Sequence, residues 1–587
     1  MTGSLPAASL RLTREDLSLS VKRTGTRALA LLAGSALALS ACTTSSGAGG
    51  DDATSQPITI TWGYEQEFAA YNASTETGNA SHNSVVLNQV LRGFWVYAPD
   101  GSIQADSEFG SYAKVSDDPL TVKYSFNPAA VWSDGEPVGC DDITLTWMAR
   151  NGSTGDKGFS AALTNGYEDM NKPECGAGGK DFTITYKKPF ADWSAMFGAT
   201  EILPAHIVEK QAGMTKTFLD YVDAPTSPEL AKAIEFYNTG WNFNPGALKK
   251  DIIPSAGPYL IDSWVANQSL TLKANPKWWG TPPKANTIVI RYLAGDAQAQ
   301  ALQNGEIDLM DPQPQVDLVN QLKSLGDEIV YSPEDQYTFE HFDFNFKTVF
   351  ADKNVREAFA KCVPRQQIVD NLIKPQNAQA RIMESRFIFP FQPQYDGYIE
   401  GIGGQAYDKQ DIAGAKALLE KAGKTGTTVR IGWKKDPEQL NKRRSDTVAL
   451  LQNACSQAGF KIVDAGTPTF FGKEWPAGQW DVAMFAWAGS PLVTGSRGIY
   501  DSTGGQNMGA YSNKKVDELI TKLSQEIDRD KQLTLQKQID QLLWQDLATI
   551  PLFAFPGIYA ASTNVTGAEY NATQSDLTWN ADKWSLK

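Results

Sequence analysis

Apolar and polar residues alternate with a period of two along some stretches of the chain and near 3.6 along others, and the two kinds interleave. Ile58 to Trp62 reads Ile-Thr-Ile-Thr-Trp, a strand ended by Gly63, and a polar, aromatic loop follows at Tyr64, Glu65, Gln66, Phe68, Tyr71 and Asn72. A loop leaving a strand end is a common place for ligands. Asn83 to Arg92 carries Val85, Val86, Val90 and Leu91 on one side, which predicts a helix ended by Gly93. Phe94 to Tyr97, Leu120 to Phe126 and Phe182 to Tyr186 read as extended. Asp141 or Asp142 is placed to N-cap the periodic stretch through Ile143, Thr146 and Trp147. Further on, Ile412 to Gly423, Val516 to Ile527 and Leu533 to Leu547 predict helices, the last with Leu535, Ile539, Leu542 and Leu543 inward. Ile550 to Ala560 is apolar throughout and suits a buried strand. Strand and helix keep alternating, the pattern of an α/β body.

The first forty-two residues have a different character. Arg11, Arg14, Lys22, Arg23 and Arg27 precede an apolar run from Ala28 to Leu39, the layout of a secretory signal. That run is too short to span a bilayer comfortably, which takes about 20 apolar residues. Leu39-Ser40-Ala41-Cys42 follows and resembles the lipobox of bacterial lipoproteins, which implies diacylglyceryl modification of Cys42 and an anchor on the extracytoplasmic face of the cell membrane. Residues 42–56, rich in Ser, Gly, Thr and Asp, read as a flexible tether after a signal peptide at 1–41.

Composition narrows the function. At 587 residues with 42% hydrophobic content the chain has material for a large core, and 16 Trp, 20 Tyr and 26 Phe make an aromatic-lined site plausible. A net charge of -14 argues against nucleic acid, which demands a basic face. His82, His206 and His341 lie far apart without metal-ligand spacing, and no G-x-x-x-x-G-K-[ST], H-E-x-x-H, C-x-x-C or G-x-S-x-G occurs. Neither a catalytic centre, a metal nor a cofactor is therefore expected. Outside the cytoplasm the other four cysteines, Cys140, Cys175, Cys362 and Cys455, support two disulfides in one of three pairings.

Seven segments, in order, resemble the peptide/nickel-type solute-binding proteins of bacterial ABC importers, the oligopeptide- and dipeptide-binding group. They are Trp132-Ser133-Asp134-Gly135-Glu136-Pro137 with Asp141-Asp142, Ile202-Leu203-Pro204-Ala205-His206, Ser255-Ala256-Gly257-Pro258-Tyr259, Ala274-Asn275-Pro276-Lys277-Trp278-Trp279-Gly280, Asn304-Gly305-Glu306-Ile307-Asp308, Asn354-Val355-Arg356-Glu357-Ala358-Phe359-Ala360 and Thr549-Ile550-Pro551-Leu552. The resemblance implies a periplasmic-binding-protein-like α/β fold of two lobes, with an extra subdomain in the first and two interlobe crossings, near Phe339 to Phe346 and Ile550 to Ala560. Lobe 1 would comprise 57–100, 250–338 and 550–587, its subdomain 101–249, and lobe 2 339–549. Pairing Cys140 with Cys175 and Cys362 with Cys455 keeps each bridge inside one lobe and leaves the hinge unclamped. Trp132, Trp278 and Trp279 fall in framework segments and read as core.

The resemblance further implies a monomeric receptor that closes on a peptide or peptide-like ligand and delivers it to an ABC permease and its ATPase subunits. Candidate ligand-binding residues are Tyr64, Glu65, Gln66 and Tyr71 from the first lobe and Asn345, Trp487 and Ser490 from the crossing and second lobe. Ser490 ends Asp481 to Ser490 where relatives place an aspartate for the ligand's α-ammonium, so a free peptide N-terminus needs another carboxylate, such as Glu65 or Asp343. Two other readings are open: an envelope lipoprotein of the same fold that serves cell-wall regulation, and a secreted hydrolase, for which three scattered histidines offer little.

Overall fold

Ten of the extended segments pair into one mixed sheet in the computed structural model, which describes residues 56–587 apart from 156–157, 177–178, 223–226, 436–441 and 490. The lipobox and Ser490 thus lie outside the described residues. In chain order the sheet strands are β1 (Thr59–Tyr64), β2 (Tyr259–Val265), β3 (Ser269–Ala274), β4 (Thr287–Tyr292), β5 (Leu309–Met310), β6 (Ile329–Phe344), β7 (Thr428–Gly432), β8 (Lys461–Asp464), β9 (Val482–Ala488) and β10 (Thr549–Ser562). Across the sheet they run β8-β7-β9-β6-β10-β5-β1-β4-β3-β2. β1 is parallel to β4 and β5, and β7 is parallel to β8 and β9. A separate three-stranded antiparallel sheet holds Gly110–Asp117, Leu120–Phe126 and Asp181–Thr185.

The two long strands decide the architecture. β6 has 16 residues and β10 has 14, and they pair antiparallel. At about 3.3 Å per residue each spans roughly 45–55 Å, enough to belong to two bodies at once. Ile329 to Asp335 pairs with Ser562 to Pro556, then the register shifts, and Phe339 to Asp343 pairs with Ala554 to Thr549. Between the two registers Gln336, Tyr337 and Thr338 stand opposite Phe555, a bulge that bends the ribbon. β9 joins β6 only from Thr338 onward, and β5 joins β10 only at Ala560 and Ala561. The fold is thus two-lobed and periplasmic-binding-protein-like, and the chain passes twice between lobes. The register break at Gln336 to Thr338 adjoins the Phe339 to Phe346 segment where the sequence places the first crossing.

Separate apolar clusters fill the two sides. One gathers Ile60, Trp62, Tyr124, Phe126 and Ile288, and another gathers Phe342, Phe359, Val429, Leu451 and Ile550. Disulfides tie Cys140 to Cys175 and Cys362 to Cys455, the latter fastening helix Lys353–Cys362 to helix Lys442–Ala458.

Three expectations are corrected. The helix predicted over Asn83 to Arg92 is Ser81–Leu87. Beyond it one last turn forms and the helix stops, because the Gln89 and Val90 carbonyls accept from Tyr259 N (3.1 Å) and Ala256 N (3.0 Å) instead of from a following turn, while Val90 and Leu91 stay buried and keep the apolar pattern. Trp132 is core and half-buried Trp279 packs against the same cluster, whereas Trp278 only leans on Trp279; their Nε1 atoms donate to Glu108 O for Trp279 and Thr281 O for Trp278. Asp141 and Asp142 lie inside helix Cys140–Arg150 rather than capping it, because the chain turns into the helix one residue earlier, at the N-cap Gly139. Helix Arg529–Asp546 turns Leu535, Ile539, Leu542 and Leu543 onto one apolar cluster as expected, and it also buries Gln532, Gln536 and Asp540. Gln532 and Gln536 face a cleft rather than solvent.

Candidate functional site

The bulge at Gln336 to Thr338 sits between two compartments that share Tyr337 and Ala488 as a common wall. The first encloses about 490 Å3 and the second about 390 Å3, both within the range of small-ligand sites.

Aromatic rings line the first. Tyr337 packs against Phe389 at 4.9 Å and Phe391 at 5.0 Å, and its hydroxyl donates to Asp100 O (2.6 Å). Trp487 lies flat on buried His341 (5.9 Å, 17°) and meets Phe485 edge-on. Two polar atoms on this wall, Trp487 Nε1 and Gln536 Oε1, are buried without a protein partner. Such atoms carry a desolvation penalty that a ligand can relieve. The wall's buried charges are already matched. Arg386 and Asp540 form an ion pair at 2.9 Å with both side chains fully buried. Asp192 accepts from Val493 N, Thr494 N and Thr494 Oγ1, and burial still raises its pKa. Arg529 is exposed at this compartment, with Nη1 donating to Gln532 Oε1 at 3.3 Å.

The second compartment is acidic. Tyr64, Glu65 and Gln66 leave β1 into it, joined by Asp311 after β5 and by Asp576. Asp311 Oδ1 accepts from Trp62 Nε1 (2.8 Å). Burial, and then the neighbouring Asp576 carboxyl, hold the Asp311 pKa well above the ordinary range. Burial raises Glu65 as well. Asp576 caps the turn that follows, accepting from Leu577 N at 2.9 Å from a backbone with φ of 56°.

Of the residues singled out from sequence, Tyr64, Glu65 and Gln66 line the second compartment and Trp487 the first. Gly489 and Pro491, which flank Ser490, line the first. Tyr71 and Asn345 line neither. Tyr71 is fully buried, donates to Pro254 O and packs on Trp241. Asn345 is buried and spans Trp480 O (3.0 Å) and Lys347 N (3.1 Å), which fixes the turn after β6. Sequence reasoning missed Tyr337, Asp311, Asp576 and the Phe387, Phe389, Phe391 series, whose every-other-residue rings were the available signal.

Among the described residues no three His, Cys, Asp or Glu side chains converge as a metal site, and no helix is long and apolar enough to cross a membrane. His206 pairs with Asp134 at 2.9 Å and His82 Nδ1 lies 3.1 Å from Gln66 Oε1.

This two-lobed frame with a cleft across its connecting strands is that of extracytoplasmic solute-binding proteins. Residues 105–509 match the model for bacterial extracellular solute-binding proteins, family 5 middle, and the chain belongs to that family. An uncharacterized lipoprotein of Mycobacterium tuberculosis (strain ATCC 25618 / H37Rv) is 30% identical over 534 residues, 88% of this chain and 91% of the relative. The oligopeptide-binding protein OppA of the same strain is 28% identical over 529 residues, 86% of this chain and 81% of its own length. Among solved structures, the periplasmic EDTA-binding protein EppA superposes with a TM-score of 0.78 at 22% identity, covering 90% of this chain and 96% of its own. Family and fold are those of substrate-binding proteins rather than enzymes, and the family works outside the cytoplasm.

Proposed function

We propose that the protein captures peptides or peptide-like ligands in its interlobe cleft and delivers them to an ABC permease and its ATPase subunits, as a monomer held at the extracytoplasmic face by acylated Cys42. The observation that carries this reading is the aromatic compartment beside the bulged crossing strands, with Trp487 Nε1 and Gln536 Oε1 left without partners. Rings supply contact area that tolerates varied side chains, and unpartnered donors and acceptors suit a peptide backbone. The likeness to OppA points the same way. Closing two lobes on a ligand buries it and gives a permease a shape that reports loading.

A ligand that binds only the folded state raises its melting temperature, by about 2.7 kcal/mol of added stability at a hundredfold excess over Kd. Pools of tri- to pentapeptides should therefore raise Tm in differential scanning fluorimetry. Trp487→Ala should weaken binding by about 1–2 kcal/mol with folding intact. An unchanged Tm across all pools would count against the peptide reading.

A further inference from the structure

The second compartment has a polarity of its own. Its lining carries three carboxylates, Glu65, Asp311 and Asp576, and no Lys, Arg or His among the described residues. Acidic clustering alone specifies nothing, but Gln298 adds an independent observation. This side chain is fully buried on helix Gly295–Gln303 and forms part of the wall. Its Nε2 donates to Leu293 O at 2.9 Å, which fixes the amide orientation, and its Oε1 has no partner. A Cβ at Gly63 would stand 3.1 Å from that oxygen, so the glycine keeps the approach clear. Asp311 Oδ2 likewise receives no N–H or hydroxyl from the protein and has only the neighbouring Asp576 carboxyl beside it. Both unfilled positions are acceptors, and buried acceptors are costly until a donor arrives.

We infer that the second compartment is a subsite for a primary ammonium, held by Gln298 Oε1, Asp311 and Asp576 with Glu65 at the rim, while the ligand's body extends past Tyr337 into the aromatic compartment. This rests on the receptor reading above and adds which end of the ligand goes where. An ammonium offers three donors and one positive charge, matching several convergent acceptors. It also relieves two adjacent carboxylates that cannot both stay ionised alone. An anionic group would find no cation on this wall.

The test is isothermal titration of the purified protein with a pool of tri- to pentapeptides bearing free amino termini and with the same pool N-acetylated. Acetylation should weaken binding at least roughly tenfold, the scale of a lost charge-assisted contact. Asp311→Asn and Asp576→Asn should remove most of that difference. Glu65→Gln, on the exposed rim, should narrow it even if a buried variant fails to fold. Equal affinity for the two pools overturns the subsite and leaves the receptor reading standing. Should neither pool bind, the peptide reading fails, and spermidine and agmatine decide the subsite by themselves. Binding lost in Glu65→Gln and Asp576→Asn upholds it, and no binding overturns it.

Discussion

A carboxylate whose burial outweighs the groups that stabilise its charge makes its fold pH-dependent, and Asp142 is such a case. It accepts from Ala205 N (2.8 Å), Gly139 N (2.9 Å) and Trp132 Nε1 (3.3 Å), yet burial pushes its pKa up from 3.8 to about 6. A raised folded-state value means that the neutral form is the one the fold prefers. Its contribution is full below about pH 3.8 and is lost as pH rises through about 6. Asp142→Asn removes the titration at nearly equal volume, at a pH-independent loss of at least one accepted hydrogen bond where its NH2 faces a donor. The variant's Tm should therefore gain on the wild type between pH 4.5 and 7.5 in paired thermal melts, whereas a constant gap would contradict the assignment. The sequence makes Asp141 or Asp142 the N-cap, but the cap is Gly139, and Asp142, the third helical residue, reaches back to accept from its N–H. Its bond to Ala205, 63 residues on, leaves no local trace.

At the scale of elements, local pattern and tertiary contact divide the outcome. Ile550 to Ala560 was legible because β10 is buried along almost its whole length, so its composition has no polar phase. The first half of β6 was not, since Pro333, Glu334 and Asp335 interrupt any alternation where the strand passes the cleft. Helix Arg529–Asp546 keeps the apolar face read from sequence, while Gln532 and Gln536 take further inward positions because they line the first compartment. Departures from the apolar period mark the site rather than an error of folding. Asp192, by clasping the backbone of Val493 and Thr494, shows how a distant loop is drawn to the same wall. The Cys362–Cys455 bridge closes a separation of 93 residues between two packed helices. Replacing both by serine should lower stability by about 2–4 kcal/mol in urea unfolding, chiefly by freeing the unfolded chain. No change in midpoint would mean that the helices are held by packing alone.

For the whole molecule, the seven ordered segments and the strand–helix alternation were enough to read a two-lobed binding protein, because framework turns and core helices depend on local residues. The cleft was legible only in part. Tyr64, Glu65, Gln66 and Trp487 sit at or just past strand ends, where sequence pattern can point. Asp311, Tyr337, Phe389 and Asp576 come from four separated stretches and meet only after the sheet has formed around β6 and β10. On this account the divided cleft holds a peptide-like solute. Native mass spectrometry of protein purified from its own envelope without refolding tests it most directly. Retained peptide-like masses that leave on denaturation are the expected result. A bare protein mass, unchanged when the peptide pools are added, would contradict it.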